Sequence, residues 1–249
     1  MSIWYEVRGE LHVKSMMATI HRVTDDQQMI ATMSLVNSVS DQGILEELLE
    51  DSKPKKPQGY NELDYLLITP FRYPPLQYGS RFGSTLEPSL FYGSLNVSTA
   101  LAETAYYQFV FLSGMKVPYT EPLQVTYSSY TVSIRTDLGV FLDREPFINY
   151  EQELISPVNY NSTQELGSSM RQAKVEAFQY VSARNPETGK NIALFTPNAF
   201  QSKKPISLER WICKVTDEEV GFVSQNNKKR FSFHKTTFLV NGELPSPAC

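Results

Sequence analysis

The sequence predicts an α+β domain, a mixed and mainly antiparallel sheet with helices embedded among its strands, preceded by a helical extension. Three observations predict it. Runs rich in β-branched and aromatic residues, above all "LQVTYSSYTVSIRTDLGVFLD", alternate in the manner of paired strands. Stretches of helical periodicity stand between such runs. No internal repeat points to a repetitive architecture.

At the N-terminal end, "TDDQQMIATMSLVNSVSDQGILEELLED" reads as two helices. Thr24 and Gln27 have capping-box spacing, and Ile44, Leu45, Leu48 and Leu49 form an apolar stripe beyond Asp41. Residues 1–60 are therefore assigned to a helical extension packed on a main domain of residues 61–249. The connector "SKPKKPQGYNE" is too short to separate independent units. "LDYLLIT" predicts a buried strand stopped by Pro70. From Phe71 to Phe91, prolines and glycines predict loop and short strand. A loop this long in a compact body is functional or disordered, and its aromatic content argues against disorder.

"FYGSLN" then predicts a short strand, with Ser98 or Thr99 capping the helix "TALAETAYYQFVFL". Ser162 and Glu165 have capping-box spacing, and Leu166, Met170, Ala173 and Ala177 share one face of the helix they begin. A strand ending near Ser182, a turn at "NPETG", the strand "NIALF" and two or three further strands with a turn at "NN" complete the chain.

The bulk numbers exclude several functions. A formal charge of -4 and a pI near 5.5 argue against a broad nucleic-acid or anionic-membrane surface while leaving room for a local basic pocket. The charged first residues lack the apolar core of a signal peptide, and no apolar run reaches membrane-spanning length, so a cytoplasmic protein is expected. Cys213 and Cys249 suggest no disulfide framework. His12, His21 and His234 lie too far apart for metal-ligand spacing, so no metal site is expected. Dinucleotide, phosphate-loop, nucleophile-elbow and HExxH motifs are all missing.

What remains is a polar set in apolar or loop-rich surroundings: Arg72, Tyr73, Arg81, Tyr92, Glu103, Ser182 and Arg184. Glu103 lies in the first turns of a helix among small and apolar neighbours. There it is either a reactive carboxylate or a solvated glutamate favoured by the helix dipole. Arg72 and Arg81, among Phe71, Tyr73, Tyr78 and Phe82, suit a nucleotide, since a guanidinium grips phosphate through paired hydrogen bonds. Equally, they suit the anchoring of a loop. Tyr73 and Tyr92 stack a ring or fill the core; Ser182 holds a hydroxyl or ends a strand.

The succession "PFRYPP", "GSRFG", "FYGS", "TALAETAYY" and "YVSARN…G.NIALF" resembles the RES-domain family, bacterial toxins of RES–Xre toxin–antitoxin pairs, from about Leu66 onward. Residues before about Asp51 have no counterpart in the family's minimal pattern. The resemblance implies a fold similar to ADP-ribosyltransferase toxins and cleavage of the nicotinamide–ribose bond of NAD+, which is substrate rather than cofactor. Inorganic phosphate (a phosphorylase) or water (a glycohydrolase) is then the acceptor. It also implies Glu103 and Arg72 as catalytic residues, with Tyr73, Arg81, Tyr92 and Ser182 binding the substrate, and an Xre-type antitoxin as partner. The carboxylate's implied role is to stabilise an oxocarbenium-like ribose or grip its hydroxyls; that of the arginines is to neutralise phosphates. Transfer of ADP-ribose to a protein, and a non-catalytic nucleotide- or partner-binding module, stay open as alternatives. For the helices before Asp51, covering the core, forming a homo-oligomer interface and inhibition all stay open.

Overall fold

The computed structural model describes residues 2–26, 36, 38–117 and 121–246. Its strands are β1 (Lys14–Asp25), β2 (Phe91–Ser94), β3 (Leu123–Phe141), β4 (Ala177–Val181), β5 (Lys190–Leu194), β6 (Ser207–Val215), β7 (Glu219–Ser224) and β8 (Arg230–His234). The α-helices are α1 (Ile3–Glu6), α2 (Val39–Ser52), α3 (Tyr65–Arg72), α4 (Val97–Ser113), α5 (Glu151–Leu154) and α6 (Asn161–Gln172). The strands form one sheet in the order β1-β2-β5-β4-β3-β6-β7-β8, and all pairings are antiparallel except the short parallel match of β3 with β4. This is the mixed, mainly antiparallel α+β architecture that the sequence predicts.

The 19-residue strand β3 organises the sheet. Along one edge it pairs with β1 from Tyr127 to Gly139. Its other edge takes β6 from Leu123 to Thr131 and β4 from Gly139 to Phe141. Because β1 also meets β2 at His21 and Ser94, the strands β1-β2-β5-β4-β3 close into a ring, from whose side β6, β7 and β8 extend as a meander. The alternation in this stretch predicts paired strands; a single long strand runs through it and pairs with β1, β4 and β6, and no glycine, proline or asparagine interrupts the run before Gly139. Inside the ring Ile20, Leu67, Phe91, Val132 and Ile192 form an apolar cluster. A second holds α4 against β6 and β7 through Leu101, Tyr106, Phe109, Trp211 and Phe222. Each such side chain contributes about 1.5–3 kcal/mol by leaving water.

Among the described N-terminal residues the expected helical extension holds for α2 but not for residues 14–25, which form a strand. Residues 14–25 form β1, which places Met16 and Ile20 in the core, while Trp4 of α1 packs against Phe147, and the Ser169 hydroxyl donates to Ser2 Oγ at 2.9 Å. Thr24, expected to cap a helix, is a strand residue paired with Ser128; residues 27–35, the rest of that expected helix, lie outside the described residues. Local spacing at Thr24 is misleading because β1 is held by partners more than a hundred positions away. Of the extension, α2 forms as expected, capped by Ser38, but its stripe faces outward: Ile44, Leu48 and Leu49 are exposed.

"LDYLLIT" also differs, for it enters helix α3. Asp64 caps the helix by accepting from the Leu66 amide at 2.9 Å. Pro70 sits inside α3 without breaking it. Lacking an N–H, it leaves the Leu66 carbonyl open, and the Tyr130 hydroxyl donates to that oxygen at 2.8 Å. In α4, Asn96 rather than Ser98 or Thr99 holds the cap position. Helix α6 begins after Tyr160, and Ala177 belongs to β4 rather than to the helix face.

Candidate active-site cleft

A cleft of about 520 Å³ opens where α4, the ends of β1, β2 and β5, and the loop after α3 meet. Its size falls in the ordinary range of small-molecule sites, roughly 300–1,000 Å³. Glu103 reaches it from the second turn of α4, the helix that follows β2. Two side chains fix its carboxylate: the Ser182 hydroxyl donates to Oε1 at 2.6 Å and Asn191 Nδ2 donates to the same oxygen at 2.7 Å. Oε2 makes no hydrogen bond among the described residues, which leaves it for a ligand.

The two holders are themselves held. Ser182 Oγ accepts from the Arg184 and Asn185 amides, both at 3.1 Å, in the turn that leaves β4. Asn191, on β5, accepts the Ser94 hydroxyl of β2 at 2.6 Å. Asn185 donates from Nδ2 to Thr99 Oγ1 at 2.9 Å and so ties the same turn to the first turn of α4. Gly189 lets that link form, since a Cβ there would overlap both Thr99 Oγ1 and Asn185 Nδ2.

Opposite in charge to Glu103, three guanidiniums line the cleft: Arg22, Arg81 and Arg184. Arg81 donates to the carbonyls of Leu154 at 3.2 Å and Ser156 at 2.8 Å and lies over the Tyr160 ring, 4.4 Å from its centre. Arg184 stacks on Tyr106 at 3.7 Å and donates to the Pro157 carbonyl at 2.9 Å. Both also reach the Tyr160 hydroxyl at 3.4 Å. Arg22, on β1, lies over Phe91 at 4.8 Å and donates from Nη1 to the Tyr92 carbonyl at 2.6 Å, while its buried Nε–H has no partner among the described residues. None of the three is ion-paired with a described carboxylate. With Glu103 as the only carboxylate among the described residues of the lining, three positive charges face one negative, in a chain whose net charge is -4.

Aromatic rings complete the walls. Tyr92 turns its hydroxyl away from the opening, bonded to Ser80 Oγ at 2.8 Å and to the Phe82 amide at 3.2 Å; burial pushes its pKa up to about 12, so it stays protonated. Behind Arg184 and outside the lining, the buried Tyr106 hydroxyl donates to the Pro245 carbonyl at 2.6 Å, and burial pushes its pKa up to about 12. Tyr73 and Tyr107 stand partly exposed where they line the cleft.

Of the residues singled out from the sequence, Glu103, Arg81, Tyr73, Tyr92 and Arg184 line one cleft; Arg72 and Ser182 do not. Arg72 ends α3 with its side chain buried against α2. Nη1 donates to Glu50 Oε1 at 2.6 Å and Nε donates to the Pro54 carbonyl, so the guanidinium anchors the C-terminal end of α2. Ser182 is buried behind Glu103, which it positions. Sequence reasoning missed Arg22, Asn191 and Tyr160. Arg22 sits in a segment taken for helical extension, and Tyr160 falls just before a helix. Asn191 does carry a signal, as the one amide in the apolar strand "NIALF".

Fold and site together define an α+β protein with a net-positive, aromatic-walled cleft built around one oriented carboxylate, a class suited to phosphorylated, ring-bearing ligands. The RES domain family model matches residues 58–216, well over half of the chain, and the chain belongs to that family. The matched stretch contains Glu103, Arg81, Ser182 and Asn191, whereas β1 with Arg22 precedes it. Among solved structures, the chain is similar to one described as the crystal structure of the M. tuberculosis MbcT–MbcA toxin–antitoxin complex, at 11% identity and a TM-score of 0.47, over 86% of this chain and 91% of that one. No curated protein matches the chain. Among the described residues, no helix is long and apolar enough to cross a membrane.

Proposed function

We propose that this protein cleaves NAD+ between nicotinamide and ribose. The observation that carries the reading is the charge pattern of the cleft: three guanidiniums without carboxylate partners among the described residues around one carboxylate whose Oε2 is open. A dinucleotide brings a pyrophosphate anion for the guanidiniums. When its glycosidic bond breaks, it brings a growing positive charge at C1′ of the nicotinamide-side ribose for the carboxylate.

The bond electrons leave with nicotinamide, whose ring nitrogen is already cationic, so the leaving group departs neutral without needing a proton. Glu103 faces the resulting oxocarbenium-like ribose and stabilises it. Ser182 and Asn191 keep the carboxylate in one orientation, which means little reorganisation is needed as the charge develops. Inorganic phosphate or water then forms the new bond to C1′, giving ADP-ribose 1-phosphate or ADP-ribose, with a proton released on hydrolysis. Arg22, rather than Arg72, supplies the guanidinium beside the pyrophosphate, because it lines the cleft without a carboxylate partner among the described residues while Arg72 lies outside the lining, bonded to Glu50 and Pro54. Membership of the RES family also supports an Xre-type antitoxin that silences the enzyme by covering the cleft.

The test is nicotinamide release from NAD+ by the purified protein, with and without phosphate, and with the products identified by mass spectrometry. Free nicotinamide with a phosphorylated or plain ADP-ribose product is expected, and Glu103→Ala slows release about a hundredfold or more. Intact NAD+ after incubation with folded protein overturns the reading. ADP-ribose attached to protein moves it to the transferase class.

A further inference from the structure

A second cavity of about 450 Å³ adjoins the cleft and shares with it Arg22, Val23, Pro70, Thr104 and Tyr107. It is not described by the chemistry above. Three of the buried polar atoms that lack a hydrogen-bond partner among the described residues belong to residues that line it: Arg22 Nε, Thr24 Oγ1 and Gln108 Oε1. Buried polar groups in folded proteins are nearly always hydrogen-bonded, so the gathering of three unsatisfied ones at one cavity points to a ligand.

The fold places them deliberately. Arg22 and Thr24 are two apart on β1 and so share a face of the strand. Gln108 faces them from α4, five residues beyond Glu103, or about 7.5 Å farther along the helix. The amide of Gln108 is oriented by the bond from its Nε2 to the Tyr127 hydroxyl, and its buried acceptor oxygen has no partner among the described residues. The set thus offers an acceptor at Gln108, a donor-acceptor hydroxyl at Thr24 and a donor at Arg22 on the side of the main cleft. Tyr65 and Tyr107 add aromatic surface. Asp25, the only carboxylate among the described residues that line the cavity, disfavours a second phosphate there and favours a neutral group with N–H donors.

We propose that this side cavity is a nucleobase subsite that takes the adenine of the dinucleotide. Its exocyclic amine donates to Gln108 Oε1, an adjacent ring nitrogen accepts from the Thr24 hydroxyl, and Arg22 meets the phosphate that joins this half to the other. An amide beside a hydroxyl matches the neighbouring donor and acceptor on adenine's edge. This inference rests on the NAD+ reading for its orientation but has a readout of its own, because AMP contains the base and phosphate without the reacting ribose.

The experiment is calorimetric binding of AMP and, separately, of nicotinamide mononucleotide to the full chain and to Gln108→Leu and Thr24→Val. AMP is expected to bind the parent protein and to weaken about tenfold or more in each variant, while nicotinamide mononucleotide binds all three alike. Thr24→Val preserves side-chain shape and carries the test if Gln108→Leu fails to fold. Absence of AMP binding to the parent, or AMP affinity unmoved in a folded variant, overturns the subsite. Should AMP bind in this Gln108- and Thr24-dependent way while nicotinamide mononucleotide does not bind at all, the subsite stands and the reading of the main cleft fails.

Discussion

Ser182 and Glu103, 79 positions apart, share a 2.6 Å hydrogen bond in which the serine hydroxyl donates and the carboxylate accepts. Because the same Ser182 Oγ accepts two backbone amides, its one hydrogen points at Glu103, and the carboxylate is oriented by the turn that leaves β4. Ser182 acts through Glu103 and is a positioning residue. Ser182→Ala is therefore expected to lower kcat for NAD+ cleavage roughly tenfold while KM stays within about twofold, with partial recovery in Ser182→Thr. A larger effect on KM than on kcat returns Ser182 to direct contact with the substrate.

Arg22 and Arg72 give a paired test of which guanidinium meets the pyrophosphate of the proposed substrate. Arg22 lines the cleft with a buried Nε–H that has no partner among the described residues, and Arg72 has donors on Glu50 and Pro54. Arg22→Gln is expected to raise KM for NAD+ about tenfold or more, in line with the loss of a charge-assisted hydrogen bond. Arg72→Gln leaves KM within about twofold. The opposite order restores Arg72 to the site.

The sequence makes the sheet class legible because strands and helices of this chain carry their own periodicities, and "TALAETAYY" marks the helix that delivers Glu103. It misplaces what tertiary partners decide. β1 reads poorly because its partner β3 lies more than a hundred positions away, and α3 reads as a strand because the cap at Asp64 and the Tyr130 hydroxyl that satisfies the Leu66 carbonyl are invisible locally. Arg72 shows the same limit at the site. An arginine among aromatics has one appearance in sequence whether it faces a ligand or a neighbouring helix, and only the position of Glu50 tells the two apart.

The Arg72–Glu50 contact carries a pH dependence. Hydrogen bonds from Lys53 first and Arg72 second hold the Glu50 carboxyl at about 2, below its ordinary value near 4.5. A carboxyl depressed in the folded state lends its stability above the ordinary value, and that contribution fades as the pH falls from there through about 2. In Arg72→Met the Glu50 pKa, followed by carbon NMR of the carboxyl, is expected to rise only part of the way to the ordinary value, because Lys53 still donates. The melting temperature of that variant falls, because the buried Arg72 side chain loses its bonds to Glu50 and to the Pro54 carbonyl. A carboxyl whose titration does not change on removing Arg72 contradicts the contact.

Gly189 tests whether the link between the β4 turn and α4 matters to the site as a whole. Its φ lies outside the left-handed region, so alanine is allowed by the backbone there, and the cost comes from space: the added Cβ overlaps Thr99 Oγ1 and Asn185 Nδ2. Either the Asn185–Thr99 hydrogen bond opens or the turn shifts, and in both cases Ser182, which takes the Asn185 amide and bonds through its own N–H to the Gly189 carbonyl at 2.7 Å, moves with it. Overpacking of this kind costs about 1–3 kcal/mol. Gly189→Ala is expected to lose both stability and kcat, whereas Thr99→Ser/Gly189→Ala, which removes the Thr99 methyl but keeps its hydroxyl, stays as impaired because the hydroxyl oxygen is the nearer obstacle. Thr99→Ala/Gly189→Ala, which removes that oxygen, recovers part of the lost stability without recovering the Asn185 bond. Thermal unfolding and nicotinamide release measured on the three variants separate the two effects, and full activity in Gly189→Ala shows that Glu103 is oriented without this link.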